Sequence, residues 1–154
     1  MLDWNNLQNY REDQYIEAKE ATGGLPHSIW ETYSGFANAK GGVILLGVEE
    51  LPDKSLHALD LLDPQWLIDD FWAILRDPKQ VSVNLLTEEN VQVHEIDGKH
   101  IIAIHVPEAA PAQKPVHLRQ NPYRETYIRE GESDNRCTRT QVDAMLRAAK
   151  RSSE

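Results

Sequence analysis

IWETYSGFANAKGGVILLGVEE, residues Ile29 to Glu50, contains an amphipathic helix, a glycine stop and a buried strand. The apolar residues Ile29, Trp30, Tyr33, Phe36 and Ala37 fall at i, i+1, i+4, i+7 and i+8, which is one face of a helix. Pro26 suits the first turn, where its missing N–H has no intrahelical partner to lose, so the spacing predicts a helix over 26–39. Gly41 and Gly42 stop it, because glycine takes the left-handed conformation at a helix end without steric cost. Val43 to Leu46 is a short apolar run closed by Gly47, which fits a strand covered on both faces. Ser34-Gly35 inside the helix reads as a place of close packing.

Upstream, Asp3 caps an expected helix over 4–10, and residues 14–19 alternate with the period of a half-buried strand. Gly23-Gly24 precedes the helix as an anion-cradling loop would, but lacks the Gly-Lys-Ser/Thr of a phosphate-binding loop. Downstream, Asp63-Pro64 starts a helix over 64–76, in which Trp66 and Trp72 read as packing residues. Residues 81–86 read as a strand, and residues 91–96 and 100–106 flank Asp97-Gly98 as a hairpin. Residues 107–115 read as a loop, 116–119 and 125–130 as short strands, and 131–137 as an exposed loop. Thr138 with Gln141 forms a capping box for a helix whose inner stripe is Val142, Met145, Leu146 and Ala149. The fold class is α+β: a central mixed β-sheet flanked by about three main helices. One domain is expected over 1–150, with 151–154 as a disordered tail.

The chain has 154 residues, long enough for one domain with a sizeable core. No apolar run approaches the ~20 residues of a membrane span, and the N-terminus lacks the layout of a signal peptide, so no membrane partner is expected. The single cysteine, Cys137, excludes an intramolecular disulfide and fits a reducing cytoplasm. It reads as an ordinary lone thiol. The net charge of −9 argues against nucleic acid. Its distribution softens that: residues 1–112 carry 7 Lys+Arg against 19 Asp+Glu, and residues 113–154 carry 9 against 6. A basic end on an acidic body can present one face to phosphate.

Phe36-Ala37-Asn38, Gly41-Gly42 and the run into Gly47-Val48-Glu49-Glu50 resemble the core signature of the Schlafen AlbA-type domain. Tyr15-Ile16-Glu17-Ala18-Lys19 is similar to the family's opening strand, and Tyr127-Ile128-Arg129-Glu130-Gly131 resembles its closing Tyr-x-Arg-x-Gly strand. The three blocks occur in the family's order and span roughly residues 12 to 140. The resemblance implies a DNA-binding module, as at the N-terminus of bacterial transcriptional regulators.

Vertebrate Schlafen proteins use three acidic residues of this domain for metal-dependent RNA cleavage, and the matching positions are Glu12, Glu17 and Glu50. Clustered carboxylates are hard ligands for Mg²⁺ or Mn²⁺, which polarise a phosphate and activate water. Two departures stand out. The third position is Glu50 where the family has aspartate. The odd spacing of Glu12 and Glu17 aims them at opposite faces of a continuous strand, so they converge only if the chain bends or Glu12 lies in the preceding loop.

Phosphate binding would rest on Lys19, Lys114, Arg119, Arg124, Arg129 and Arg136, with Arg139 beside them; Arg129 equally suits an ion pair with Glu17 or Glu49. Arginine grips phosphate bidentately, which positions a protein without reading sequence. No helix-turn-helix or basic recognition helix is present. The six histidines fit no Cys/His zinc pattern, and His94, His100 and His105, on the hairpin strands, read as ordinary half-exposed residues. Three function classes follow. The first is a nucleic-acid module, with DNA ahead of RNA and no cofactor required. The second is a metal-dependent ribonuclease requiring Mg²⁺ or Mn²⁺. The third is a dimerising or partner-binding scaffold.

Overall fold

A computed structural model describes residues 2–153. A mixed four-stranded sheet has the order β1 (Ile16–Lys19), β2 (Gly42–Leu46), β6 (Lys99–Val106), β5 (Val91–Ile96). β1 and β2 run parallel, and the other pairings are antiparallel. Two hairpins stand apart: β3 (Val48–Glu50) with β4 (Leu56–Ala58), and β7 (Tyr127–Glu130) with β8 (Ser133–Arg136). The helices are α1 (Ile29–Asn38), α2 (Pro64–Leu75) and α3 (Arg139–Ser152).

The alternation of β2 and β6 divides the core. Ile44, Leu46, Ile102 and Ile104 join the α1 and α2 side chains on one face, while Leu45, Ile101 and Ala103 pack with Leu7, Val48 and Leu56 on the other. α1 is buried almost all round because β7 lies against it as well as the sheet. Its polar residues are therefore matched. Ser34 Oγ donates to Val116 O at 2.7 Å and accepts from the Tyr127 N–H at 3.0 Å. Asn38 Nδ2 donates to Val116 O and Tyr127 O, and its Oδ1 accepts from Val116 N–H. Gly35 is small because a Cβ there would sit 2.9 Å from Asp134 Oδ1.

Several boundaries differ from the sequence reading. Pro26 lies one turn before α1, whose N-cap is Ser28. Gly41, at φ +78°, is the stop, whereas Gly42 opens β2 and gives way to the Phe36 ring. Residues Trp4–Asn9 form a 3-10 helix that buries only Leu7. Residues 81–86 contribute only an isolated bridge from Val81 to Leu118, and residues 116–119 and 125–126 pair only through such bridges. The loop expected over 131–137 is largely β8, a polar strand that needs no apolar alternation because solvent covers much of it. Trp72 is buried as expected, but Trp66 is 59% exposed. α3 has its capping box, though only Val142 of its stripe is fully buried and Leu146 faces solvent. α3 runs through Ser152, into the expected tail; Glu154 lies outside the described residues.

Candidate nucleic-acid interface

Glu12 lies in the turn before β1, closed by Asp13 N–H on Ile16 O, and this bend removes the facing problem of the odd spacing. Its Oε2 accepts the Ala18 N–H at 2.9 Å, and its carboxyl is within hydrogen-bonding reach of those of Glu50 and Glu17. Burial above all pushes the Glu12 carboxyl up to about 8, reinforced by the Glu17 charge and the Glu50 and Glu17 carboxyls and opposed by the Ala18 N–H. Three carboxyls therefore meet at one corner. At neutral pH one of them holds a proton.

The cations at that corner are already engaged. Arg129 has a fully buried side chain, and all its donor groups are used internally. Nη1 donates to Glu17 Oε1 at 2.9 Å and Asp134 Oδ1 at 3.0 Å, while Nε and Nη2 donate to Asp13 O and Nη2 also to Ile16 O. The guanidinium lies over the Phe36 ring, 4.9 Å from its centroid. This corrects the expectation that Arg129 grips phosphate: it ties β7 and β8 to β1. Lys19 Nζ is 3.7 Å from Glu17 Oε2 and donates to Ser28 Oγ.

Cations of the chain already occupy part of this donor set: Glu17 is paired with Lys19 and Arg129, and Glu50 is paired with Lys54 at 3.5 Å. Among the described residues, no group of three or more His, Cys, Asp and Glu side chains is disposed to hold a metal ion.

The remaining basic residues lie elsewhere. Arg136 and Arg139 are exposed and lie against tyrosines: Arg136 is 5.9 Å from the Tyr127 ring centroid and donates Nη2–H to its hydroxyl at 3.4 Å, and Arg139 lies over Tyr123 at 4.6 Å. Tyr123 is in turn held by its hydroxyl donating to Asp143 at 2.6 Å. Arg124, in the same turn as Tyr123, is exposed and makes no ion pair among the described residues. Arg119 is half-exposed and paired with Glu125. Lys114 is paired with Glu108 at 3.0 Å. Sequence reasoning missed the two bracing tyrosines, although each stands within a few residues of an arginine or its partner strand. It also missed Asp134, whose signal lay hidden in a polar segment.

Burial pushes the Cys137 thiol up to about 11, so it is an inert packed residue. Burial also lowers His94, His105 and His117, keeping these rings neutral. Among the described residues, no helix is long and apolar enough to cross a membrane.

A mixed sheet with α1 buried against β2 and an arginine clamp closing β7 onto β1 defines a small α+β module with one acidic and one basic corner. The chain belongs to the Schlafen AlbA_2 family, whose profile matches residues 12–138. It is similar to the N-terminal domain of a RecG-related protein from Nitrosomonas europaea, at 28% identity and a TM-score of 0.63, covering 90% of this chain and 95% of that one. It also shares its fold with the DIP2311 protein of Corynebacterium diphtheriae, at 19% identity and a TM-score of 0.57, covering 88% of this chain and 24% of that chain. No curated protein matches it in sequence.

Proposed function

We propose that the protein is a nucleic-acid-binding module that holds the phosphate backbone of DNA at its arginine corner. The observation that carries this reading is the pair of exposed guanidiniums, Arg136 and Arg139, braced on Tyr127 and Tyr123 beside Arg124. Arg139 is held by its tyrosine ring with no hydrogen bond to it, while Arg136 gives one N–H to the Tyr127 hydroxyl and keeps the rest; a side chain held in place loses less entropy on gripping phosphate. Arg119 extends the face if Glu125 releases it. Lys19 and Lys114 contribute little, since each is already paired, and Arg129 contributes nothing directly.

DNA stands ahead of RNA because the N. europaea neighbour is described as related to the ATP-dependent DNA helicase RecG. A place in a transcriptional regulator rests on the family resemblance alone. Binding by such a face needs no cofactor and reads little sequence. The module's overall acidity keeps it off nucleic acid except where this corner leads.

The ribonuclease alternative has the convergence of Glu12, Glu17 and Glu50 in its favour. The pairing of Glu17 with Arg129 and Lys19 counts against it. Replacing Arg124, Arg136 and Arg139 together by alanine tests the proposal. Anisotropy of labelled duplex DNA should lose binding while thermal unfolding is unchanged, and undiminished binding by the triple variant sinks it.

A further inference from the structure

We infer that the groove between α2 and the outer edge of β5 is a docking site for an extended, lysine- or arginine-bearing peptide, which joins the sheet as a fifth strand. β5 is the last strand of its sheet. The Asp97-Gly98 turn has two central residues, with φ of 51° and 79°, so Ile96 and Lys99 form the hydrogen-bonded pair beside it. Alternation then points the N–H and C=O of Val93 and Glu95 away from β6. The register of β6 agrees. His100, opposite Glu95, sends its N–H to Asp60 Oδ1 at 2.8 Å and accepts the Leu61 N–H at 3.0 Å, both on the side away from β5.

Among the described residues, no group pairs with these outward backbone groups of Val93 and Glu95. The opposite edge is sealed: on β1, Glu12 takes the Ala18 N–H and Arg129 donates to the Ile16 carbonyl. Proteins normally blunt a sheet edge in such ways, because a row of free donors and acceptors is a template for another strand. Here one edge is closed and the other is open.

Beside the open edge runs a groove of about 620 Å³. Ile68, Trp72 and Ala73 of α2 form one wall, and Val91 and Val93 the other. This is the geometry of strand addition, in which backbone hydrogen bonds hold the peptide and every second side chain enters the groove. Its charge selects the occupant. Asp69 and Glu88 line it, and Glu95 shares the Val91–Val93 face by alternation. The single lining cation, Arg76, lies over the Trp72 ring at 4.8 Å. An apolar residue in the groove with Lys or Arg on either side of it satisfies both surfaces. A second copy of this chain would bring its own acidic β5 against the same carboxylates.

The test is selection of a displayed random dodecapeptide library on the full chain, followed by amide-resolved NMR titration with the best peptide. Enrichment of apolar residues interleaved with Lys or Arg is expected, with shifts along Val91–Glu95 and the α2 wall. Val93→Pro deletes one outward N–H without touching the β5–β6 ladder, as proline at an edge allows. It should weaken the peptide about tenfold while the melting temperature holds. Asp69→Lys with Glu88→Lys should weaken it as much. No enrichment, enrichment of acidic peptides, or affinity untouched by a folded Val93→Pro variant overturns the proposal. So does a homodimer lost in Val93→Pro, or duplex DNA shifting the same amides.

Discussion

Arg129 Nη1 lies 2.9 Å from Glu17 Oε1, and the arginine side chain is wholly removed from solvent. The pair joins the closing strand to the opening strand across more than a hundred residues of chain. A buried charge with every donor used is a clamp, and its loss leaves Glu17 with Lys19 alone, Asp134 with Thr32 alone and the Asp13 carbonyl without its partner. Arg129→Ala should therefore destabilise the fold by about 3–5 kcal/mol, with Arg129→Lys recovering only part of it. Urea unfolding measures this, and a loss under about 1 kcal/mol contradicts the clamp.

Glu12 sets a pH dependence. Its carboxyl has an ordinary value of 4.5 and is raised to about 8 in the fold. The folded state therefore holds a proton that the unfolded chain has released, so this group's contribution is fully present below pH 4.5 and is lost as pH rises to about 8. Glu12→Gln mimics the protonated form. Its melting temperature should match wild type near pH 4.5 and clearly exceed it at pH 8. Equal melting at both pH values means that Glu12 is ionised in the fold.

Asn38 joins α1 to the chain around Val116 and Tyr127 through three hydrogen bonds of 2.8–2.9 Å. Alanine there leaves buried backbone groups without partners, at about 1–3 kcal/mol for each stranded group. Calorimetry should show a drop in melting temperature of several degrees, and a drop below about 2 °C means that water or a rearrangement replaces the amide.

Mn²⁺ at millimolar concentration should leave the melting temperature at neutral pH unchanged, because Glu17 is already paired with Arg129 and Lys19, and Glu50 with Lys54. A ligand that binds only the folded state would raise it. A clear rise, or Mn²⁺-dependent RNA cleavage abolished in Glu17→Ala, favours the ribonuclease instead.

Local signals were legible where one physical requirement acted alone. The α1–β2 junction, the Asp97-Gly98 hairpin and the Thr138 capping box could be read because periodicity or turn geometry determines them without help. β8 could not, because a polar strand has no apolar period and is held by pairing with β7. Nor could the convergence of Glu12 with Glu17 be read, since it depends on a turn that Arg129 pins from the far end of the chain. The roles of the arginines divide by burial, and burial is set by tertiary packing: Arg129 and Arg136 stand seven residues apart in one hairpin, yet one is enclosed and the other lies on the surface.

The arginine corner is tested most directly by anisotropy of labelled duplex DNA, titrated at roughly 50 and 200 mM salt. About four phosphate contacts should weaken binding by about a hundredfold over that range, and Arg124→Ala or Arg136→Ala should each reduce the log–log salt slope by about one. Binding absent at the lower salt, or equal in affinity and slope in the folded arginine variants, contradicts the account.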